Sequence, residues 1–227
     1  MRKFLVVELF GMRHVKAAWH ARQHQVEKLM STLSGLAGEP VPLKEHIFSL
    51  ADGIISMLGF GDMYNSDKFP HHKNLEHGTF IGGSDTASVT ILWAMAELIP
   101  KPTLLKKVQD EIRTVVSGNK MVRPDDLAKL GYLKMVVKET LRLHPPATML
   151  LPREAMRDIQ IGGYDVPAKT RIYVNAWANG RDPASWPDDP VEFKPERFEE
   201  SKVDFKGAHF ELTPFGVGLR ICPALSI

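Results

Sequence analysis

The sequence predicts a mainly α fold with a small β region, and three observations carry that expectation. Apolar residues recur at helical spacing in the segments 12–34, 43–58, 76–99, 103–117 and 132–144. Glycine and proline clusters close four of those five segments. After Pro146 the pattern changes to short β-like pieces and then to a coil-rich stretch rich in Pro and Asp and holding Trp186.

The elements follow in order. Val15, Ala18, Trp19, Val26, Leu29, Met30 and Leu33 outline the first helix, which Gly35, Gly38, Pro40 and Pro42 end. Ile47, Leu50, Ile54, Ile55 and Leu58 outline the second, closed by Gly59-Phe60-Gly61. Residues 61–75 are polar and read as a loop. Residues 76–99 form a long, mostly apolar helix interrupted at Gly82-Gly83-Ser84-Asp85-Thr86 and stopped by Pro100 and Pro102. Leu104, Leu105, Val108, Ile112 and Val115 give residues 103–117 one apolar face. Pro124 with Asp125 and Asp126 starts a short helix, because proline suits the first helical position and acids suit the first turn. Residues 132–144 form a further helix, ended by Pro145-Pro146. Ile159–Ile161 and Arg171–Val174 are the β-like pieces, with Gly162-Gly163 as a hairpin signal. Residues 179–200 read as irregular chain.

Composition narrows the function. The 227 residues hold 29 Lys and Arg against 27 Asp and Glu, a formal charge of +2. So small an excess argues against a dedicated nucleic-acid binder. The single cysteine, Cys222, excludes an intramolecular disulfide and any multi-cysteine zinc site. No apolar run reaches the ~20 residues of a membrane-spanning helix. His20 and His24 are four apart and could meet a metal, but no third ligand is evident, and a solvated helix surface is the stronger reading. His71-His72 lie in the polar loop. No phosphate loop, nucleophile elbow or dinucleotide fingerprint is present.

Three constellations could carry chemistry. Cys222 closes Pro214-Phe215-Gly216-Val217-Gly218-Leu219-Arg220-Ile221-Cys222-Pro223. Gly216 and Gly218 permit a tight turn and close approach of backbone to a flat ligand. Pro223 fits the first position of a helix, which would set Cys222 at a helix N-terminus and favour its thiolate, with Arg220 adding positive charge. A thiolate presented in this way suits a soft metal or a haem iron. The plain alternative is an inert, buried cysteine. Glu139 and Arg142 share one helix face at i and i+3, either as an exposed pair or as a buried pair needing more partners, for which Arg197 is a candidate. Asp85 beside Thr86 could relay protons where two glycines open the helix, or Ser84 or Asp85 could cap a new helix start.

Taken in order, these segments resemble cytochrome P450, the haem-thiolate monooxygenases, and most closely its plant microsomal members. Gly82 to Thr86 resembles the oxygen-activating stretch of the long distal helix. Glu139-Thr140-Leu141-Arg142 resembles the family's Glu-x-x-Arg, and Pro195-Glu196-Arg197-Phe198 the segment that completes a Glu–Arg–Arg triad. Phe215 to Cys222 resembles the haem-binding signature, and Trp177-Ala178-Asn179-Gly180-Arg181-Asp182-Pro183 also matches.

The resemblance implies haem b as cofactor, with Cys222 as the proximal thiolate ligand of its iron. It implies that Phe215 and Gly218 border the haem and that Arg220 and Arg153 pair with its propionates. Arg2 falls where the distal-side arginine of Trp-x-x-x-Arg would stand, without that tryptophan upstream. Asp85 and Thr86 would manage protons for bound oxygen. Ala147, Thr148, Met149 and Leu150 would line the substrate pocket. Glu139, Arg142 and Arg197 would be structural. The implied reaction inserts one atom of O₂ into a small apolar substrate. Electrons would come from NADPH through a reductase docked on the proximal face.

Departures shape the expectation for this chain. Ala224 stands where the signature usually has glycine, and Leu219 where plant members are often basic. The membrane anchor, the first β-rich region, the helices roofing the pocket and most of the proximal helix have no counterpart here. The expected architecture is a single partial domain over 1–227: helices in 1–61, then 76–227 from the distal helix to the cysteine loop. The expected location is the cytosolic face of the endoplasmic reticulum membrane, or the cytoplasm for a chain without the anchor. Two alternatives stand beside the monooxygenase. One is a non-catalytic, truncated remnant that binds haem weakly or not at all. The other is a cysteine hydrolase pairing Cys222 with a histidine.

Overall fold

The computed structural model describes residues 19–60, 78–118 and 121–225. The readings made for Arg2, Val15, Ala18 and the loop 61–75 lie outside them. The chain divides into two compact units, residues 1–133 with 223–227, and residues 134–222.

The first unit is helical. It holds α1 (Trp19–Gly35), α2 (Leu43–Phe60), α3 (Gly78–Leu98) and α4 (Pro102–Val116), then a 3-10 turn at Pro124–Lys129. The helix α2 packs against both α1 and α3. The buried face of α1 differs from the apolar stripe: Ala21 and Gln25 are buried, whereas Met30 is exposed. Gln25 fits because Gly53 of α2 leaves room; a Cβ there would stand 2.5 Å from Gln25 Oε1. The Gln25 amide then donates to Met57 Sδ at 3.1 Å.

The helix α3 is continuous, which corrects the expected interruption at residues 82–86. Its β-hydroxyls tie back to the preceding turn: Thr86 Oγ1 donates to Gly82 O at 2.6 Å, Ser88 Oγ to Ser84 O at 2.9 Å and Thr90 Oγ1 to Thr86 O at 2.8 Å. Ser84 and Asp85 are therefore helix-interior residues and not caps. The small residues still have a packing use, since a Cβ on Gly83 would meet Ile55 Cδ1 of α2 at 3.3 Å.

In α4, Val108 is buried and the rest of the apolar face half-buried. The N-terminus of α5 (Gly131–Leu143) is capped by Glu111 of α4, whose carboxylate accepts from Tyr132 N at 2.7 Å and Leu133 N at 2.9 Å. A carboxylate there answers two of the otherwise unpaired N–H groups and the positive end of the helix dipole.

The second unit contains most of α5 and the small β region. Strands β1 (Arg153–Glu154) and β4 (Arg171–Ile172) pair antiparallel, with Arg153 opposite Ile172. Strands β2 (Ile159–Ile161) and β3 (Tyr164–Val166) form the hairpin announced by Gly162-Gly163. One turn of helix, α6 (Ala176–Asn179), follows, and a 3-10 turn spans Pro195–Phe198 within the coil-rich stretch. Trp186, Phe198 and Leu212 form a core, with Met135, Val203 and Phe205 against it. Trp186 meets Phe198 edge-on, centroids 5.7 Å apart. These burials turn an irregular stretch into a fixed wall around the buried face of α5.

Candidate active site

The most deeply buried polar cluster belongs to the second unit. The side chains of Glu139 and Arg142 are fully buried, and that of Arg197 is 6% exposed. Glu139 accepts from Arg142 Nε at 2.7 Å and Nη2 at 2.8 Å, from Arg197 Nε at 2.9 Å and from Lys194 N at 2.8 Å. Arg142 Nη1 donates to Gly180 O and Pro190 O, and its Nη2 also reaches Glu192 O at 3.0 Å. Arg197 donates to the carbonyls of Asp188, Asp189 and Glu192. The structure thus brings together the three residues that spacing alone could not. The arginines hold a coil segment by its carbonyls, which is a structural task.

The cysteine loop lies in the same unit. Gly216 and Gly218 have φ of 72° and 67°, a region costly to residues with a Cβ. Gly216 N donates to Thr213 O at 3.0 Å, Ile221 N to Gly218 O at 3.1 Å and Cys222 N to Phe215 O at 2.8 Å. The last bond closes the loop and presents Cys222, a free and half-buried thiol. Phe215 packs on Phe205, centroids 5.3 Å apart. Pro223–Leu225 form a turn, so the helix N-terminus expected at Cys222 is not seen among the described residues; the loop's own hydrogen bonds position the thiol. Arg220 is exposed, at the end of a 3-10 turn Gly218–Arg220, as is Leu219.

Arg153 and the cysteine loop meet although they are far apart in sequence. A Cβ on Gly216 would stand 3.4 Å from Arg153 Nη2. Beside them opens a cavity of about 330 Å³ whose lining includes Leu150, Arg153, Asn179, Thr213 and Val217. Of the residues expected to line a substrate pocket, Leu150 faces this cavity and Ala147 is half-buried. Thr148 and Met149 are exposed; Thr148 contributes its carbonyl to Trp177 N at 3.1 Å. In the first unit, Asp85 and Thr86 are exposed on α3, and the Thr86 hydroxyl is engaged with Gly82 O instead of Asp85. His20 and His24 are exposed, and no group of three metal-binding side chains exists among the described residues.

Two features escaped the sequence. Gly180 sits where a Cβ would stand 2.1 Å from Arg142 O, so only glycine lets the coil approach α5. Its place within the conspicuous Trp177 to Pro183 run was the available signal. Thr213 carried no signal, and Asn179 was quoted only as part of a motif; the cavity they share is set by the fold.

Comparison with known proteins decides the family. The cytochrome P450 model matches residues 73–224. The chain belongs to the cytochrome P450 family. A 4-hydroxyphenylacetaldehyde oxime monooxygenase of Sorghum bicolor is 40% identical over 325 residues, taking in 100% of this chain and 61% of the relative. A phenylacetaldehyde oxime monooxygenase of Prunus mume is 42% identical over 215 residues, covering 95% and 40%. Cytochrome P450 71B23 of Arabidopsis thaliana is 54% identical over 181 residues, covering 78% and 36%. Among solved structures, a zebrafish cytochrome P450 determined with abiraterone superposes with TM-score 0.76 at 24% identity, over 99% of this chain and 69% of that one, a likeness of fold. The cytochrome P450 chain described here thus spans less than two thirds of the curated relatives it matches most fully. The sorghum match extends over 325 residues against 227 here, so that relative carries stretches with no counterpart in this chain.

Haem is the family's cofactor, and the residues present fit it. The glycine turn leaves the loop without side-chain bulk beside the thiol, and an arginine stands against that turn. Thr213, whose buried hydroxyl has no partner among the described residues, lines the adjoining cavity. No helix among the described residues is long and apolar enough to cross a membrane.

Proposed function

We propose that this chain is a haem-dependent monooxygenase polypeptide that inserts one atom of O₂ into a small apolar substrate. The observation that carries the reading is the free, half-buried Cys222 at the close of a glycine turn with Arg153 against it. Bound haem supplies the oxygen activation and accepts the electrons, which come from NADPH through a reductase. Cys222 would hold the iron through its thiolate, an electron-donating ligand. Phe215 shields one side of the sulfur, and Gly218 keeps the loop open to the macrocycle. Arg153 and Arg220 neutralise the propionates, and Arg2 is assigned the same task. Asp85 and Thr86 hold protons on the distal helix. Release of the Thr86 hydroxyl from Gly82 O would free it for that duty. Ala147, Thr148, Met149 and Leu150 border the substrate.

Several relatives are named as oxime monooxygenases, which makes aldehyde oximes the first substrates to screen. The reductase docks on the proximal face. We read the chain as one partial domain acting at the cytosolic face of the endoplasmic reticulum membrane.

The deciding experiment is the carbon-monoxide difference spectrum of the reduced, haem-supplied protein. A thiolate-type Soret band is expected for the wild type and for Thr86→Ala, and its loss for Cys222→Ala. An unchanged band in Cys222→Ala rejects the ligand role. A second reading is a non-catalytic remnant that binds haem weakly or not at all. Soluble, monomeric protein without the band supports that reading instead.

A further inference from the structure

We infer that Thr213 and Asn179 join Arg153 as anchors for a haem carboxylate, an inference that rests on the proposed haem site. Three observations converge on one cavity. Arg153, Asn179 and Thr213 line it together, and the rest of the lining described above is apolar. Thr213 is 5% exposed, and its hydroxyl has no hydrogen-bond partner among the described residues. A buried hydroxyl left unsatisfied is disfavoured, so a bound acceptor is its natural complement. Asn179 uses its main-chain groups within the fold: its N–H donates to Asn175 O at 3.1 Å, and its carbonyl accepts from Trp186 Nε1 at 3.0 Å. Its carboxamide makes no hydrogen bond among the described residues, and Asn179 lines the cavity. Arg153 brings the charge, and its contact with Gly216 ties the cavity to the cysteine loop.

The chemistry that fits is a carboxylate on an apolar frame: a guanidinium, a hydroxyl and an amide as donors, with Leu150 and Val217 against the frame. A propionate projecting from a macrocycle held at Cys222 has that form. Thr213 and Asn179 are thus positioning residues that hold the haem by its edge.

The test uses the full chain and measures haem loss to excess apomyoglobin for wild type, Thr213→Val and Asn179→Leu. The same measurement is then made with the haem dimethyl ester, in which both carboxylates are blocked. Each variant is expected to lose haem about tenfold faster than wild type, the scale of a hydrogen bond to a charged group. With the ester the variants and wild type are expected to lose the ligand at equal rates. The haem-free Thr213→Val protein is expected to unfold no earlier than wild type, since valine removes the orphan hydroxyl. Equal haem loss from wild type and variants overturns the inference alone. Faster loss that persists with the ester also overturns it, because the carboxylate is then not what the residues hold. A wild-type chain that takes up no haem overturns the proposed haem site, and this inference with it.

Discussion

Glu139 and Arg142, one turn apart on α5, form a two-point ion pair at 2.7 and 2.8 Å with both side chains fully buried. The remaining N–H groups of Arg142 go to the carbonyls of Gly180, Pro190 and Glu192, so all five of its donors are used. Such a pair is tolerated only with full satisfaction, because desolvation opposes it. Removing one partner leaves the other charge buried. Glu139→Ala is therefore expected to destabilise the protein by about 3–5 kcal/mol, since it strands Arg142 and Arg197 together. Against a total stability of about 5–15 kcal/mol, that loss is enough to populate unfolded chain. Urea unfolding followed by circular dichroism checks it, and a midpoint equal to wild type contradicts it.

Gly180 tests the same region sterically. A Cβ at 2.1 Å from Arg142 O meets backbone, which cannot swing aside as a side chain can. Gly180→Ala is expected to lower the thermal midpoint by several degrees or prevent soluble expression. In Gly82→Ala, by contrast, the new Cβ meets nothing within 4 Å and gains about 0.5–1 kcal/mol of helix propensity. The two glycine replacements should move the thermal midpoint in opposite directions, and a shift of the same sign in both refutes the steric account.

The helices were legible because their apolar spacing is local, and the Gly162-Gly163 hairpin because its turn chemistry is local. The buried face of α1 was not. Gln25 is buried only because Gly53 of another helix makes room for it. The break expected at Gly82 to Thr86 was read from propensity, yet packing of α3 on α2 outweighs the roughly 2 kcal/mol that two glycines cost. In the site, Glu139, Arg142 and Arg197 could be named from their motifs. Their burial and their convergence on Gly180, Pro190 and Glu192 depend on how the coil between residues 179 and 200 wraps α5. That long-range arrangement leaves no periodic trace.

Asp126 supplies a pH-dependent prediction. Its carboxyl is held below the usual carboxylate value first by the hydrogen bond from Arg123 N, at 3.1 Å, and then by Lys129, also at 3.1 Å. A depressed folded-state pKa means that the charged form is the stabilised one. The contribution is complete above the ordinary value of 3.8 and is lost as pH falls through the lower folded value. Asp126→Asn should therefore be less stable than wild type at pH 7, with the gap closing below about pH 4. Urea midpoints of both proteins from pH 7 to pH 2 test this; a gap that is constant across the range means that the carboxylate charge is not involved.

Ser56 on α2 is 1% exposed, and its hydroxyl has no partner among the described residues. A buried hydroxyl left without a partner costs about 1–3 kcal/mol. Alanine occupies the same space less one oxygen, so Ser56→Ala removes the penalty and leaves only a small gap. The net expectation is a gain of about 1 kcal/mol, against the usual rule that core substitutions destabilise. Ser88 of α3 provides the contrast. It is equally buried, but its hydroxyl donates to Ser84 O at 2.9 Å. Ser88→Ala deletes a satisfied bond and frees no orphan, so it should be neutral or destabilising by up to about 1 kcal/mol. Chemical unfolding of the two variants side by side decides the matter. A Ser56→Ala protein that loses stability like Ser88→Ala shows that the Ser56 hydroxyl finds a partner in solution.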